Sequence, residues 1–323
     1  MFEFPIRTVA DGVPNYGVDV TFPVHLEKKL PTMDKKLIIN AAPVGALISA
    51  SQNPSMPFNV EEIARDAIAS YKEGAAIFHV HTRVDGAFSF DPLVYKKCMD
   101  LVFKECPDMI TDLCTVSSFT HEGVEGRMKP MIAPLLEFGH KYSEIAVINP
   151  VSNAIGDFIF VATPSGIEEE TAYLESVGVK PELAGYTQTA IGVIVEHLID
   201  KGIVKAPYLI DVVAGVHNCT PARPDPEAYV NLIQMIRMLP PNTRWQAIIG
   251  GHNWLPLSVF CIMAGCDVVR VGMEDQVHIY PHKDDLIPSA ASMVKKIAAI
   301  AKELGREIAT PDEARKILGL PKP

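Results

Sequence analysis

Residues 60–83 read VEEIARDAIASYKEGAAIFHVHTR. The first part carries carboxylates at its start, apolar residues at helical spacing and Gly74 at its end, which together specify an amphipathic helix. After Gly74 the pattern shortens to AIFHVH (76–81), an apolar and β-branched run too brief for a helix and bounded by glycine, so a buried strand is expected. A helix feeding a buried strand is one turn of a βα repeat. From Lys36 onward the same alternation recurs, with further strands expected at LIINAA (37–42), MITDLCT (109–115), EIAVIN (144–149), ELAGY (182–186), YLIDVVA (208–214), WQAIIG (245–250) and CDVVRVG (266–272). Eight βα units predict a parallel sheet, most economically closed into a (β/α)8 TIM barrel. A doubly wound open sheet is the alternative, but AAPVGAL after the first strand does not match the GxGxxG turn that such sheets use for dinucleotides.

The barrel is expected to occupy residues 36–323, ending in a short capped helix, TPDEARKILGL, that starts at Thr310 and Pro311. Residues 1–35 hold several prolines and aromatics without periodicity. They are expected to form an extension that packs on the barrel or on a neighbouring subunit.

Within AIFHVH, side chains alternate faces, so His79 and His81 share one face and Phe78 and Val80 the other. If Phe78 and Val80 face the helices, both imidazoles face the barrel axis at the C-terminal end of the second strand, where barrel enzymes build their sites. Two imidazoles about 7 Å apart along one face can bind one divalent cation. A third ligand is expected from the eighth strand. Val268, Arg270 and Gly272 share one parity, which continues past the strand end to Glu274, with Asp275 beside it. His79, His81 and Glu274 would form a His2Glu set with positions left open for substrate, as catalytic zinc requires. Two alternatives stay open: Arg270, Glu274 and Asp275 as a structural ion-pair cluster, and His278 or His282 of QVHIYPH as competing ligands.

Composition bounds the function. Hydrophobic residues make up 48% and charged residues 21% of the 323-residue chain, which is globular and core-forming. A formal charge of -10 argues against nucleic-acid and anionic-membrane partners. No signal peptide or membrane span is expected, so the protein is read as cytoplasmic. The six cysteines lack CxxC spacing and read as reduced thiols in the core.

Residues 53–97, NPSMPFNVEEIARDAIASYKEGAAIFHVHTRVDGAFSFDPLVYKK, resemble the beta-keto acid cleavage enzyme family. The likeness extends upstream through AAPVGA (41–46) and downstream through Asn149, the PEL of strand five, WQAIIGGHNWLP (245–256), VRVGMED (269–275) and AKELGREIATPDEARKILGL (301–320). It implies a zinc-dependent TIM barrel that exchanges groups between a β-keto acid and acetyl-CoA, giving acetoacetate and a new acyl-CoA. It further implies that His79, His81 and Glu274 are the zinc ligands, that Asp275 is the catalytic base, and that Arg270 is its electrostatic partner. Homo-oligomers, tetramers or dimers, are implied as well. Asn149, Thr115, Leu47, Gly251 and His252, all near strand C-terminal ends, are the candidate substrate contacts; His217 and His252 could also contact a carboxylate or a CoA phosphate, or be solvated loop residues.

The chain also departs from the family pattern. Leu47 stands where a relative's glutamate holds a substrate ammonium group, so a neutral or apolar substrate tail is expected. Ala184 stands where many relatives carry a second acid supporting the Asp/Arg pair, while Glu182 lies on the same face one pair earlier. Glycine-rich loops become TVSS (115–118) after strand three and HNCT (217–220) after strand six, changes that bear on the acyl acceptor more than on the metal. Two rival functions keep the metal: an aldolase-type lyase with another acceptor, and a barrel that binds a keto acid without turning it over.

Overall fold

The computed structural model describes residues 29–46, 48–115, 123–155, 158–216 and 226–321. Its centre is a closed barrel of eight strands: Ile38–Ala42, Ile77–Val80, Ile110–Leu113, Ile145–Ile148, Lys180–Gly185, Tyr208–Ala214, Thr243–Ile249 and Val268–Gly272. Each strand pairs in parallel with its sequence neighbours, and the eighth closes on the first with Asn40 opposite Arg270. All eight expected strands are present. Residues 1–28 of the expected N-terminal extension lie outside the described residues. Among the described residues, no helix is long and apolar enough to cross a membrane.

The helices form where the sequence marks them. Val60–Lys72 is capped by Asn59, whose side chain accepts from the Glu62 N–H at 3.0 Å, and its buried stripe of Ile63, Ala64 and Ala67 packs on the barrel. Helix Pro226–Met238 opens on its proline, and helix Pro311–Leu318 carries a capping box between Thr310 and Glu313.

Strand alternation sorts the core into two parts. Outward residues such as Phe78, Val80, Ile39 and Val271 join one large cluster with the helices. Inward residues at the N-terminal end, Ile38, Ile77, Ile110, Ile145, Leu209 and Val268, form a separate apolar plug with Ala314, Leu318 and Leu320 of the C-terminal segment. That segment is held by Arg315, which donates two hydrogen bonds of 2.8 Å to the buried Glu144 carboxylate. One end of the barrel is therefore sealed with hydrocarbon.

Above the plug, the next inward layer is polar: Asn40, His79, Asp112, Glu182, Asp211, Gln246 and Arg270 are all buried. Two short antiparallel hairpins stand beyond the strand ends, Thr82–Val84 with Ala87–Ser89 and Asn153–Ile155 with Phe158–Phe160. Neither hairpin was expected from the sequence.

Candidate active site at the barrel mouth

The end of the second strand carries His79 and His81 inward, and the turn after the eighth brings Glu274 against them. His79 Nε2 lies 3.3 Å from Glu274 Oε2, and His81 Nε2 lies 3.3 Å from Glu274 Oε1. Ligand atoms at 2.0–2.1 Å from a tetrahedral ion stand roughly 3.3 Å apart, so the spacing matches a shared cation. The donors fit as well: two imidazoles and one carboxylate, all buried, with Glu274 Oε2 making no hydrogen bond of its own. The alternative ligands His278 and His282 are not part of this cluster.

The two histidines differ in their support. His79 Nδ1 bonds Asp112 Oδ2 at 2.8 Å, which fixes the ring and aims Nε2 at Glu274. His81 stacks edge to face on His79, with centroids 5.1 Å apart, and lies against Cys114 at the end of the third strand. Burial pushes both imidazoles down, but the neighbouring groups outweigh it. Glu274 and Asp112 hold His79 well above its ordinary value, and Cys114 with Glu274 brings His81 to about 9. Burial would raise the Glu274 carboxyl, yet Arg270, His79 and His81 hold it well below the usual carboxylate range. The cluster is thus built around a carboxylate that stays ionised.

Arg270 grips the neighbouring acid from two sides. Its Nε donates to Asp275 Oδ2 at 3.0 Å and its Nη2 to Asp275 Oδ1 at 2.9 Å, while Nη2 also lies 3.4 Å from Glu274 Oε1. Burial disfavours the guanidinium charge, but Asp275 and Glu274 raise its pKa well above the ordinary value, so it remains a cation. A bidentate pair of this kind aims as well as charges the carboxylate.

Beneath the mouth runs a hydrogen-bonded layer that sequence reasoning largely missed. Asn40 donates to Asp112 Oδ2 at 2.8 Å and to Gln246 Oε1 at 3.0 Å. Gln246 in turn donates to Glu182 Oε1 at 2.9 Å and Asp211 Oδ1 at 3.0 Å. Burial, then the charges of Asp112 and Asp211, push Glu182 well above the carboxylate range, and burial lifts Asp211 to about 7. Asp211 stands in register opposite Ala184, so strand six supplies a carboxyl at the level where strand five has a methyl group.

The candidate substrate contacts spread over the same rim. Asn149 is buried at the end of the fourth strand. Thr115 is buried and donates its hydroxyl to the Val147 carbonyl at 2.5 Å. The Gly251 N–H donates to the Asp275 carbonyl at 3.1 Å, and His252 is exposed, stacked on His278. Leu47, His217 with the rest of HNCT, and residues 116–118 of TVSS lie outside the described residues. An aromatic wall completes one side: His81 and Phe88 centroids are 5.4 Å apart, and Phe88 stacks on Phe90 at 5.7 Å.

Residues 36–320 match the family described as beta-keto acid cleavage enzyme. The chain belongs to the beta-keto acid cleavage enzyme family. It is 36% identical over 293 residues to a 3-keto-5-aminohexanoate cleavage enzyme of Fusobacterium nucleatum, covering 90% of this chain and all of that protein. It is 30% identical over 312 residues to a 3,5-dioxohexanoate:acetyl-CoA acetone transferase of Paraburkholderia graminis, covering 88% of this chain and 96% of the relative. Among solved structures, one described as the apo form of ObcA superposes with a TM-score of 0.66 at 18% identity; the match covers 83% of this chain and 66% of that one, and carries the fold alone. As a member of the beta-keto acid cleavage enzyme family, the chain is an enzyme of acyltransferase type.

Proposed function

We propose that the protein is a zinc-dependent beta-keto acid cleavage enzyme that condenses a β-keto acid bearing a neutral or apolar tail with acetyl-CoA, giving acetoacetate and a new acyl-CoA. The observation that carries this reading is the Asp275 carboxylate held bidentately by Arg270 immediately beside the His79, His81 and Glu274 cluster.

His79, His81 and Glu274 would hold the ion. Zinc, when bound, supplies a Lewis acid that polarises the keto oxygen and offsets the negative charge of the enolised ketone. Asp275 removes the proton from the CH2 between the keto and carboxylate groups, and Arg270 keeps that base aimed. Burial of all these groups excludes water and strengthens each charge interaction. Asn149 is assigned to a substrate oxygen; Thr115 shapes that wall, its hydroxyl being committed to Val147. Phe88 and Phe90 supply the apolar surface for the tail. The relatives' names supply acetyl-CoA as acceptor, as in the 3-oxoadipate:acetyl-CoA acetyltransferase of Cupriavidus necator. The five described free cysteines are consistent with a reducing cytoplasm, and a homo-oligomer is part of the same proposal.

The purified protein, given an uncharged-tail β-keto acid, should form acetoacetate when acetyl-CoA is present and none when it is omitted. Cleavage at the same rate without the thioester would replace this reading with an aldolase-type lyase. Asp112→Ala should weaken zinc uptake about 10- to 100-fold, because His79 would lose the acceptor that fixes its ring. Equilibrium dialysis against buffered Zn2+ measures this, and an unchanged affinity would mean that Asp112 does not orient a zinc ligand.

A further inference from the structure

We infer that the rim of the barrel carries a second divalent transition-metal site, formed by His252, His278 and Asp284 and distinct from the cluster at the mouth. His252 follows the seventh strand, whereas His278 and Asp284 belong to the segment after the eighth. One ligand atom from each lies within 4.8 Å of the others. A tetrahedral ion needs spacings of roughly 3.3 Å, so side-chain rotations of about an ångström close the site.

Three features make this cluster more than a chance meeting of surface groups. First, the backbone folds to create it: Ile279 N–H donates to Asp285 O at 2.9 Å, Ile287 N–H donates to Val277 O at 3.0 Å, and His278 bridges Leu286, a doubling-back that returns Asp284 to His278. Second, the imidazoles already lie side by side, with centroids 3.8 Å apart; because their lone pairs are in the ring planes, which stand at 20°, one ring rotates about its Cβ–Cγ bond for both to reach one ion. Third, the His278 backbone is anchored, its carbonyl accepting from Trp254 Nε1 at 2.9 Å.

The sign of the ligand follows from Asp284. A carboxylate among the histidines repels a phosphate and favours a cation, and the nearby Lys283 and Lys296 ammonium groups both lie over the Tyr280 ring. Two imidazoles with one carboxylate select a borderline ion such as Zn2+ or Ni2+ over Ca2+ or Mg2+. The site is open to solvent, since His252 and Asp284 are exposed, so it should exchange ions more readily than the buried mouth cluster.

Its consequence reaches the chemistry through the backbone. Gly251, next to His252, donates its N–H to the carbonyl of Asp275, and a Cβ on Gly250 would come within 2.7 Å of that same carbonyl. An ion joining His252 to the segment after strand eight would staple the two loops that hold the Asp275 backbone. The site is structural, and it does not depend on what the mouth cluster binds.

Equilibrium dialysis of the full chain against buffered Zn2+, with bound metal read by elemental analysis, tests this. The parent should take up two ions, one of them more weakly. His252→Ala/His278→Ala should lose the weaker ion, and Asp284→Asn should weaken it at least tenfold. His81→Ala should lose the tighter ion and keep the weaker one, which separates failure at the mouth from failure at the rim. A parent that binds one ion or none at the rim-saturating limit, or rim variants that still take up two with parental affinities, would overturn the inference.

Discussion

Asp275→Asn should stop turnover while leaving the protein loaded with metal. The substitution keeps the size of the side chain and one of the two oxygens that accept from Arg270, now at 3.0 and 2.9 Å, so the fold of the mouth should survive. What disappears is the basic oxygen. A positioned base contributes about 10²- to 10⁴-fold to a proton transfer, and acetoacetate formation should fall by that amount. His79, His81 and Glu274 are untouched, so zinc content should match the parent. A second readout isolates the step: the parent, given a β-keto acid in D2O without acetyl-CoA, should exchange the CH2 protons, and the variant should not. A variant that exchanges and turns over like its parent would move the base elsewhere and reduce Asp275 to a structural counter-ion of Arg270. Loss of turnover together with loss of metal would instead mean that the Arg270 grip also positions Glu274, from which it stands 3.4 Å.

The barrel was legible because its strands are short, apolar and regularly spaced, so that each helix-to-strand change in period marks a unit. The inward parity of His79 and His81 followed from simple alternation, and carrying that parity past Gly272 led to Glu274. The polar layer was harder to see for a physical reason. Asn40 and Asp211 each sit among apolar neighbours, and Asp112 and Gln246 stand beside other polar residues of their strands, Thr111 and Thr243 with Arg244, so no one of them stands out. Aligning the strands by register shows that all four share the inward face with His79 and Arg270. That common offset, a polar residue two positions above the apolar plug, was the signal available in the sequence. The two hairpins were missed because residues 82–89 and 153–160 carry turn-forming residues between runs of only three, below the length at which alternation is informative. The rim histidines were seen singly, and only the doubling-back of residues 277–287 brings Asp284 to them.

The loss of an acid at Ala184 also looks different in three dimensions. From sequence, Glu182 was the remaining carboxyl on that face; the structure gives it a partner in Asp211 and ties both to Gln246 rather than to Arg270. Support for Arg270 at this level is therefore electrostatic. Arg270 is among the groups that lower both acids. The gripped geometry of Asp275 owes more to the short Arg270 contacts than to any acid on strand five.

Gly45→Ala is the sharpest test of the ligand set, because it alters no polar group at all. A Cβ at Gly45 would lie 2.0 Å from Glu274 Cγ, 2.7 Å from its Cβ and 2.9 Å from its Cα. Neither side can yield cheaply. The Glu274 backbone is tied by its N–H to the Ala42 carbonyl at 3.3 Å, and the segment around Gly45 is clamped by Arg83 Nη2, which donates to the carbonyls of Gly45 and Ile48 at 2.7 and 2.6 Å. The added methyl must therefore push the Glu274 carboxylate away from the two imidazoles by something on the order of an ångström. Misplacement of that size costs about 10²-fold in rate, and overpacking costs about 1–3 kcal/mol of stability. Zinc affinity should fall with the rate, by about 10- to 100-fold, while circular dichroism remains that of the parent. Gly192→Ala, where nothing lies within 4 Å of the new Cβ in helix Gln188–Val193, is the control that should change neither quantity. If Gly45→Ala binds zinc as tightly as the parent, Glu274 is not holding the ion, since its carboxylate cannot both stay in place and accommodate the methyl group.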